Sequence, residues 1–336
     1  MKQLTPIPPP DTAWKAELAA ALRTAPQLAA AGWIAPAEVP AYERLLERFP
    51  LVLPPYYARL IDRTDPRCPI RLQAIPQLRE LEDNENREAD PLEDFGHRPA
   101  PRITHRYAGR ALLHLTPNCS MVCRYCFRKS VLSEGKREFF EGEVAQALDY
   151  LRRTPGIAEV IFSGGDPFLA NETLLGETLA ALGEMAHLKR VRFHSRVPVT
   201  LPMRVTPAFA RLLTRSGKAA SVVCHFNHPR EITPEATQAL AELRAQNLTV
   251  LNQSVLLAGV NDSAETLADL SEKLFAAGAL PYYLHQMDPA QGTRAFDVPV
   301  ERGQEIVRDL RERLPGYLVP RYVVDDPARP FKQPLA

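Results

Sequence analysis

No stretch of the 336 residues approaches the roughly 20 consecutive apolar residues of a membrane-spanning helix. The N-terminus, Met1-Lys2-Gln3-Leu4 followed by prolines, lacks the apolar centre of a secretory signal, so a cytoplasmic address is expected. Neither sign of charge is in excess: 41 Lys and Arg stand against 40 Asp and Glu, a net charge of +1. That balance excludes a general polyanion binder, and neither nucleic acid nor membrane is expected as a partner. Cysteine is scarce and odd in number, at five. A secreted disulfide scaffold would spread an even number along a shorter chain.

What is present points to a sizeable folded core, with 45% apolar and 24% charged residues. Proline, at 32 residues, is about twice its average usage. It gathers in Pro6 to Pro10, in the first hundred residues and in the last twenty, and predicts extended, wrapping segments there. Residues 1–100 read as a helical and irregular region. Asp11 is placed to cap a helix carrying Trp14, Leu18, Ala21 and Leu22, and a second helix is predicted over Ala41–Arg48. The acidic, apolar-poor stretch Glu80–Asp94 reads as a surface loop.

From about residue 110 the texture changes. Short apolar runs alternate with amphipathic helical patterns: Leu112–Leu115 then Val144–Leu151, Val160–Phe162 then Leu174–Met185, Val191–His194 then Ala208–Leu213. Val222–His225, Val250–Leu256 and Pro281–His285 follow, each with its own helix, and Leu318–Val324 adds a last strand. Six strand–helix units predict an α/β fold with a parallel sheet, a partial (β/α)6 barrel of the TIM type; a doubly wound open sheet is the alternative. The expected division is an N-terminal region over 1–100, the barrel over 101–315 and a C-terminal segment over 316–336. In either architecture ligands gather beyond the carboxyl ends of the strands.

Three cysteines crowd into eight residues there, as Cys119, Cys123 and Cys126, with the spacing C-x3-C-x2-C. Three thiolates on one loop suit three irons of a cubane cluster and leave the fourth iron open. Zinc, completed by His114 or His105, is the competing reading. Cys68 and Cys224 stand alone and read as buried small hydrophobes. The second strand is followed by Ser163-Gly164-Gly165-Asp166, a turn in which glycine admits close backbone approach to a ligand. Asp166-Pro167 also reads as an N-cap with proline at the first helical position.

These two motifs in these places resemble the radical S-adenosylmethionine superfamily. The resemblance sharpens to the lysine 2,3-aminomutase family through Pro55-Tyr56-Tyr57, Asp65-Pro66-Arg67-Cys68-Pro69, Thr104-His105-Arg106-Tyr107, Cys123-Arg124-Tyr125-Cys126-Phe127-Arg128 and Gly316-Tyr317-Leu318-Val319-Pro320. Within that family the chain is similar to the shorter branch that supplies β-lysine for elongation factor P. Phe162–Pro167, His194-Ser195-Arg196, Leu251–Leu257, Pro281–His285 and Trp14–Ala19 carry that phrasing.

The resemblance implies an aminomutase that turns L-lysine into β-lysine with a 4Fe-4S cluster, S-adenosylmethionine and pyridoxal phosphate. It implies that Cys119, Cys123 and Cys126 hold the cluster, and that Ser163, Gly164, Gly165, Asp166 and Gln253 meet S-adenosylmethionine. Lys332, seven residues after Val323-Val324-Asp325, corresponds to the lysine that holds pyridoxal phosphate; alone it reads as a surface charge. Longer members precede that lysine with a glycine run, here replaced by Pro327–Phe331, a stiff arm. Arg106, Tyr107 and Arg110 correspond to the cofactor-phosphate region. Arg128 takes the substrate carboxylate, and Asp288 with Asp325 its ε-ammonium. Without the resemblance, Arg128 reads as a basic surface residue among Arg124 and Lys129. Partners so implied are an electron donor such as flavodoxin or ferredoxin and, indirectly, elongation factor P and its ligase; oligomerisation is left open. Free β-lysine for catabolism or as a solute, and a non-catalytic metal-bearing regulatory protein, are the competing functions.

Overall fold

The computed structural model describes residues 10–82, 86–130 and 140–336. Its centre is a nine-stranded sheet whose strands follow chain order. They are β1 (Ile103–Tyr107), β2 (Arg110–Thr116), β3 (Glu159–Gly164), β4 (Arg190–Ser195), β5 (Ala219–Cys224), β6 (Thr249–Val255), β7 (Leu280–His285), β8 (Arg321–Val324) and β9 (Gln333–Pro334). Neighbours from β2 to β8 are parallel, while β1 and β9 add antiparallel edges. A parallel sheet wound in one direction is a barrel winding; a doubly wound sheet reverses its order at a switch point. Among the described residues β1 and β9 do not pair, so the barrel is partial. Side chains bridge its gap: Arg106 Nη2 and Tyr107 Oη of β1 donate to Asp325 Oδ1, just past β8, at 2.6 and 2.7 Å.

The N-terminal region supplies α1 (Pro10–Ala19), α2 (Ala25–Ala30), α3 (Val39–Arg48), α4 (Pro55–Ala58) and α5 (Pro69–Ala74). The crossovers carry α6 (Val144–Arg152), α7 (Glu172–Gly183), α8 (Val197–Thr200), α9 (Pro207–Leu212), α10 (Pro234–Ala245), α11 (Ala264–Ala276) and α12 (Val300–Arg313). The helix expected behind Asp11 begins at Pro10, and the Asp11 side chain lies outside the described residues. The proline reading needs correction. Pro6 to Pro9 lie outside the described residues, but Pro55 and Pro69, within the first hundred, open helices rather than extend the chain, as Pro207 and Pro234 do further on. Their fixed φ suits the first turn, where no N–H is needed. Thr206 and Thr233 cap the last two, each accepting a backbone N–H at 3.1 Å.

The apolar core lies between the sheet's outer face and the helices. Phe162 and Phe193 stack there at 4.8 Å, with Phe168 and Phe209 edge-on beyond them. Alternation along each strand then sends the other residues inward. On β4, Val191 and Phe193 are buried outside, while Arg190, Arg192 and His194 line the inside. An ordinary barrel fills its interior with branched apolar side chains. This one leaves it open and sets charged and polar side chains among the apolar ones.

Candidate active site

The barrel interior is a cavity of about 580 Å³ whose wall includes all three clustered cysteines, Arg128, Asp288, Asp325 and Lys332. Seven consecutive residues could not gather these groups; they come from the loop after β2, the end of β7, the end of β8 and the edge of β9.

The cysteine loop is fastened to the N-terminal region rather than to the barrel alone. Val122 N donates to Val52 O at 3.1 Å and Arg124 N to Gln73 O at 2.9 Å. Arg124 itself is fully buried, its Nε 3.0 Å from Glu80 Oε1 and its Nη1 2.8 Å from Pro50 O. Lys129 is buried too, donating to Glu80 Oε2 at 3.0 Å and to the carbonyls of Arg124 and Gly292. Burial pulls its amine down to about 8. The acidic stretch Glu80–Asp94 is therefore not a plain surface loop. Its two ends are buried, because Glu80 and Asp94 neutralise cations under and beside the cysteines. The reading of Arg128 as a surface charge among Arg124 and Lys129 falls with it.

Burial pushes the Cys119 thiol up and the Cys126 thiol to about 11, so metal binding there must displace protons. Cys68 and Cys224 are buried away from the cavity wall, as small hydrophobes. The two histidines considered for zinc are engaged elsewhere. His114 Nε2 is 2.9 Å from Thr104 Oγ1, and His105 Nδ1 is 2.7 Å from Tyr150 Oη. Neither lines the cavity. Among the described residues no His, Cys, Asp and Glu side chains close around a single ion. Three soft thiolates on one loop suit a cubane cluster.

Ser163-Gly164-Gly165-Asp166 ends β3 beside this loop. Gly164 has φ +119°, a conformation that side chains rarely adopt, and a Cβ on Gly165 would lie 2.5 Å from Asn118 O. The second glycine thus lets the backbone of the cysteine loop come close. Asp166 caps the turn at Pro167–Leu169 through Phe168 N at 3.1 Å. Its carboxylate also accepts from Ser195 Oγ and Arg196 N, both at 2.7 Å, which joins β3 to β4. Gln253 on β6 faces the cavity, 2.6 Å from His225 Nε2.

Arg196, quoted in the sequence only within His194-Ser195-Arg196 and given no role there, lies against the cysteine loop. Its guanidinium donates to Cys123 Sγ at 2.8 Å and to Tyr125 Oη, and is anchored by Glu231 at 2.7 Å, Gln73 at 2.8 Å and Tyr57 at 3.1 Å. The available signal was its place in His194-Ser195-Arg196, just past a strand. Burial also keeps three inward imidazoles neutral: His225 is pulled down to about 3, and His194 and His285 well below the usual range.

Lys332 reaches the cavity because β9 pairs with β8 at Val323↔Pro334 and Val324↔Gln333. Leu335 N donates to Tyr322 O at 2.9 Å and Gln304 Nε2 to Leu335 O at 2.8 Å. This short edge strand delivers the amine without a glycine run. Lys332 forms an ion pair with Asp325, whose other oxygen holds Arg106 and Tyr107. Desolvation brings the Lys332 amine down to about 7, with Asp288 opposing and Arg106, Arg110 and Arg192 assisting. Arg106 and Arg110 both lie over the Tyr107 ring, at 4.8 and 4.1 Å. Lys332 thus stands among the guanidiniums of Arg106, Arg110 and Arg192. Arg128, 12% exposed, donates to Asp94 Oδ2 at 2.5 Å and to Ser163 Oγ at 3.4 Å. Asp288 forms no ion pair among the described residues, and burial raises its carboxyl to about 6.

A model of the Radical SAM superfamily matches residues 113–271. The L-lysine 2,3-aminomutase of Acetoanaerobium sticklandii is 36% identical over 322 residues, which cover 96% of this chain and 78% of that protein. The corresponding protein of Clostridium subterminale is 40% identical over 285 residues, or 85% and 68% of the two chains. That of Escherichia coli is 38% identical over 290 residues, or 85% and 83%. The chain belongs to the lysine 2,3-aminomutase family. Membership in this radical family implies a 4Fe-4S cluster and S-adenosylmethionine, and Cys119, Cys123 and Cys126 are thiols suited to hold that cluster. No helix among the described residues is long and apolar enough to cross a membrane.

Proposed function

We propose that this chain is an L-lysine 2,3-aminomutase dependent on a 4Fe-4S cluster, S-adenosylmethionine and pyridoxal phosphate, and that its β-lysine modifies elongation factor P. The observation that carries the reading is a single cavity lined by three thiols, a lysine amine near pKa 7, an arginine and a buried carboxylate. When bound, the three cofactors supply the hydrogen-abstracting radical and the conjugated system across which nitrogen migrates.

The chain's own residues bind, orient and shield. Cys119, Cys123 and Cys126 hold the cluster, with Arg196 pressed against Cys123. The Ser163–Asp166 turn and Gln253 receive S-adenosylmethionine. Lys332 holds pyridoxal phosphate, and Arg106, Tyr107 and Arg110 take its phosphate. Arg128 takes the substrate carboxylate, where a guanidinium fork matches two oxygens. Asp288 takes the ε-ammonium, and Asp325 joins it when its pair with Lys332 opens. Neutral His194, His225 and His285 line the cavity without competing for that cation. An electron donor such as flavodoxin or ferredoxin reduces the cluster.

Anaerobic reconstitution with the three cofactors, a reductant and a panel of amino acids tests the reading. β-Lysine and 5′-deoxyadenosine are expected from lysine; preference for glutamate or alanine overturns it. The biological half is separable. Elongation factor P from a deletion strain should lack its β-lysyl group and regain it when β-lysine is added. Normal modification in that strain favours free β-lysine as the purpose.

A further inference from the structure

We infer that Asp94 is a positioning residue that aims the Arg128 guanidinium into the cavity, and so decides that the substrate must carry a carboxylate. The inference rests on the function proposed above and deepens it. Asp94 lies in the acidic stretch that composition alone assigns to the surface, yet its side chain is 6% exposed and its Oδ2 accepts from Arg128 Nη2 at 2.5 Å. Nη1 of the same guanidinium points to Ser163 Oγ at 3.4 Å. A flexible arginine stem is thereby held from two sides, by one residue before the barrel and one at the end of β3.

The anchor is itself fixed. Asp90 accepts the backbone N–H groups of Asp94 and Phe95 at 3.0 and 2.8 Å, which sets the turn Asp94–His97. Leu92 O accepts from Arg106 Nη1 at 3.1 Å. The segment 90–97 is therefore a strap that joins Arg128 to Arg106, the residue that shares Asp325 with Lys332. The strap thus ties the arginine assigned to the substrate carboxylate to one assigned to the cofactor phosphate. A carboxylate behind Arg128 also offsets the cost of a buried cation before any substrate arrives. The same negative charge faces Asp288, together with Lys332, Arg106 and Arg128.

The test uses the full chain holding its cofactors, as Asp94→Asn, Asp94→Glu, Arg128→Gln and parent. Lysine binding is read by calorimetry, lysine KM and kcat separately, inhibition by 1,5-diaminopentane, which has no carboxylate, and the cluster's visible absorbance. Loss of one hydrogen bond to a charged group predicts that Asp94→Asn weakens lysine by about tenfold to a hundredfold. KM should move more than kcat, diaminopentane inhibition and cluster absorbance should stay at parent values, and Asp94→Glu should recover most of the lysine affinity. If Arg128→Gln weakens lysine while Asp94→Asn binds it like the parent, the positioning role is overturned and the function stands. If Asp94→Asn loses lysine, diaminopentane and cluster absorbance together and Asp94→Glu restores none, Asp94 is structural and the inference fails. If Arg128→Gln binds lysine like the parent, the proposed carboxylate site is what fails.

Discussion

Asp288 and Lys332 sit in one cavity, and each moves the other's proton. Burial raises the Asp288 carboxyl to about 6, while Lys332 pulls against that shift. Burial lowers the Lys332 amine to about 7, while Asp288 pulls against it. Above pH 6 the carboxylate is charged and ready for an ammonium; below it the group is neutral. Lysine KM should therefore rise as pH falls through about 6, and Asp288→Asn should remove that acid limb. Leaving a desolvated ammonium unpaired typically costs a few kcal/mol, so Asp288→Asn should weaken lysine on the order of a hundredfold. A variant that binds lysine like the parent places the ammonium elsewhere. Legibility differs sharply at this scale. The three cysteines announce themselves because a cluster's ligands share one short loop. Lys332 has no local signal at all, since its burial depends on β8 and the barrel wall. Asp94 and Glu80 were hidden because an acidic, apolar-poor stretch looks solvated until the cations facing it are known.

Between elements, the close approach of the cysteine loop to the β3 turn carries the site. Replacing Gly165 by Ala puts a methyl 2.5 Å from Asn118 O, where backbone must give way. Such overpacking costs about 1–3 kcal/mol, so Gly165→Ala should lower Tm by several degrees and reduce the iron bound per chain on reconstitution. Iron content at the parent level would show that the loop tolerates the shift. Glu80→Gln removes the charge shared by Arg124 and Lys129, both buried. Breaking a buried pair this way costs about 3–5 kcal/mol; chemical denaturation should show it, and a loss under 1 kcal/mol would contradict the burial argument. Most strands and crossover helices were legible, because apolar runs and 3.6-residue patterns are local. The edges were not. β1 is largely polar, and β9 is two residues long, too short for any periodicity. The prolines that open helices were misread because count and clustering say less than the residue that precedes each one.

For the whole molecule, the open side of the barrel is what makes one cavity out of separate segments. The ends of β1 and β8 meet through Arg106, Tyr107 and Asp325 rather than through backbone pairing, and β9 brings Lys332 into that seam. The barrel class was legible from six repeating units; the open interior was not, because inward and outward positions separate only once strand register is known. The central claim is that Lys332 is the amine that holds pyridoxal phosphate inside the cavity that also carries the cysteines. Borohydride reduction of the protein incubated with pyridoxal phosphate, followed by peptide mapping at a series of pH values, tests it most directly. The label should fall on Lys332, and its yield should climb as pH rises through about 7, where the amine loses its proton. Label on Lys129 or Lys273 instead, or an unchanged yield in Lys332→Ala, would contradict the account.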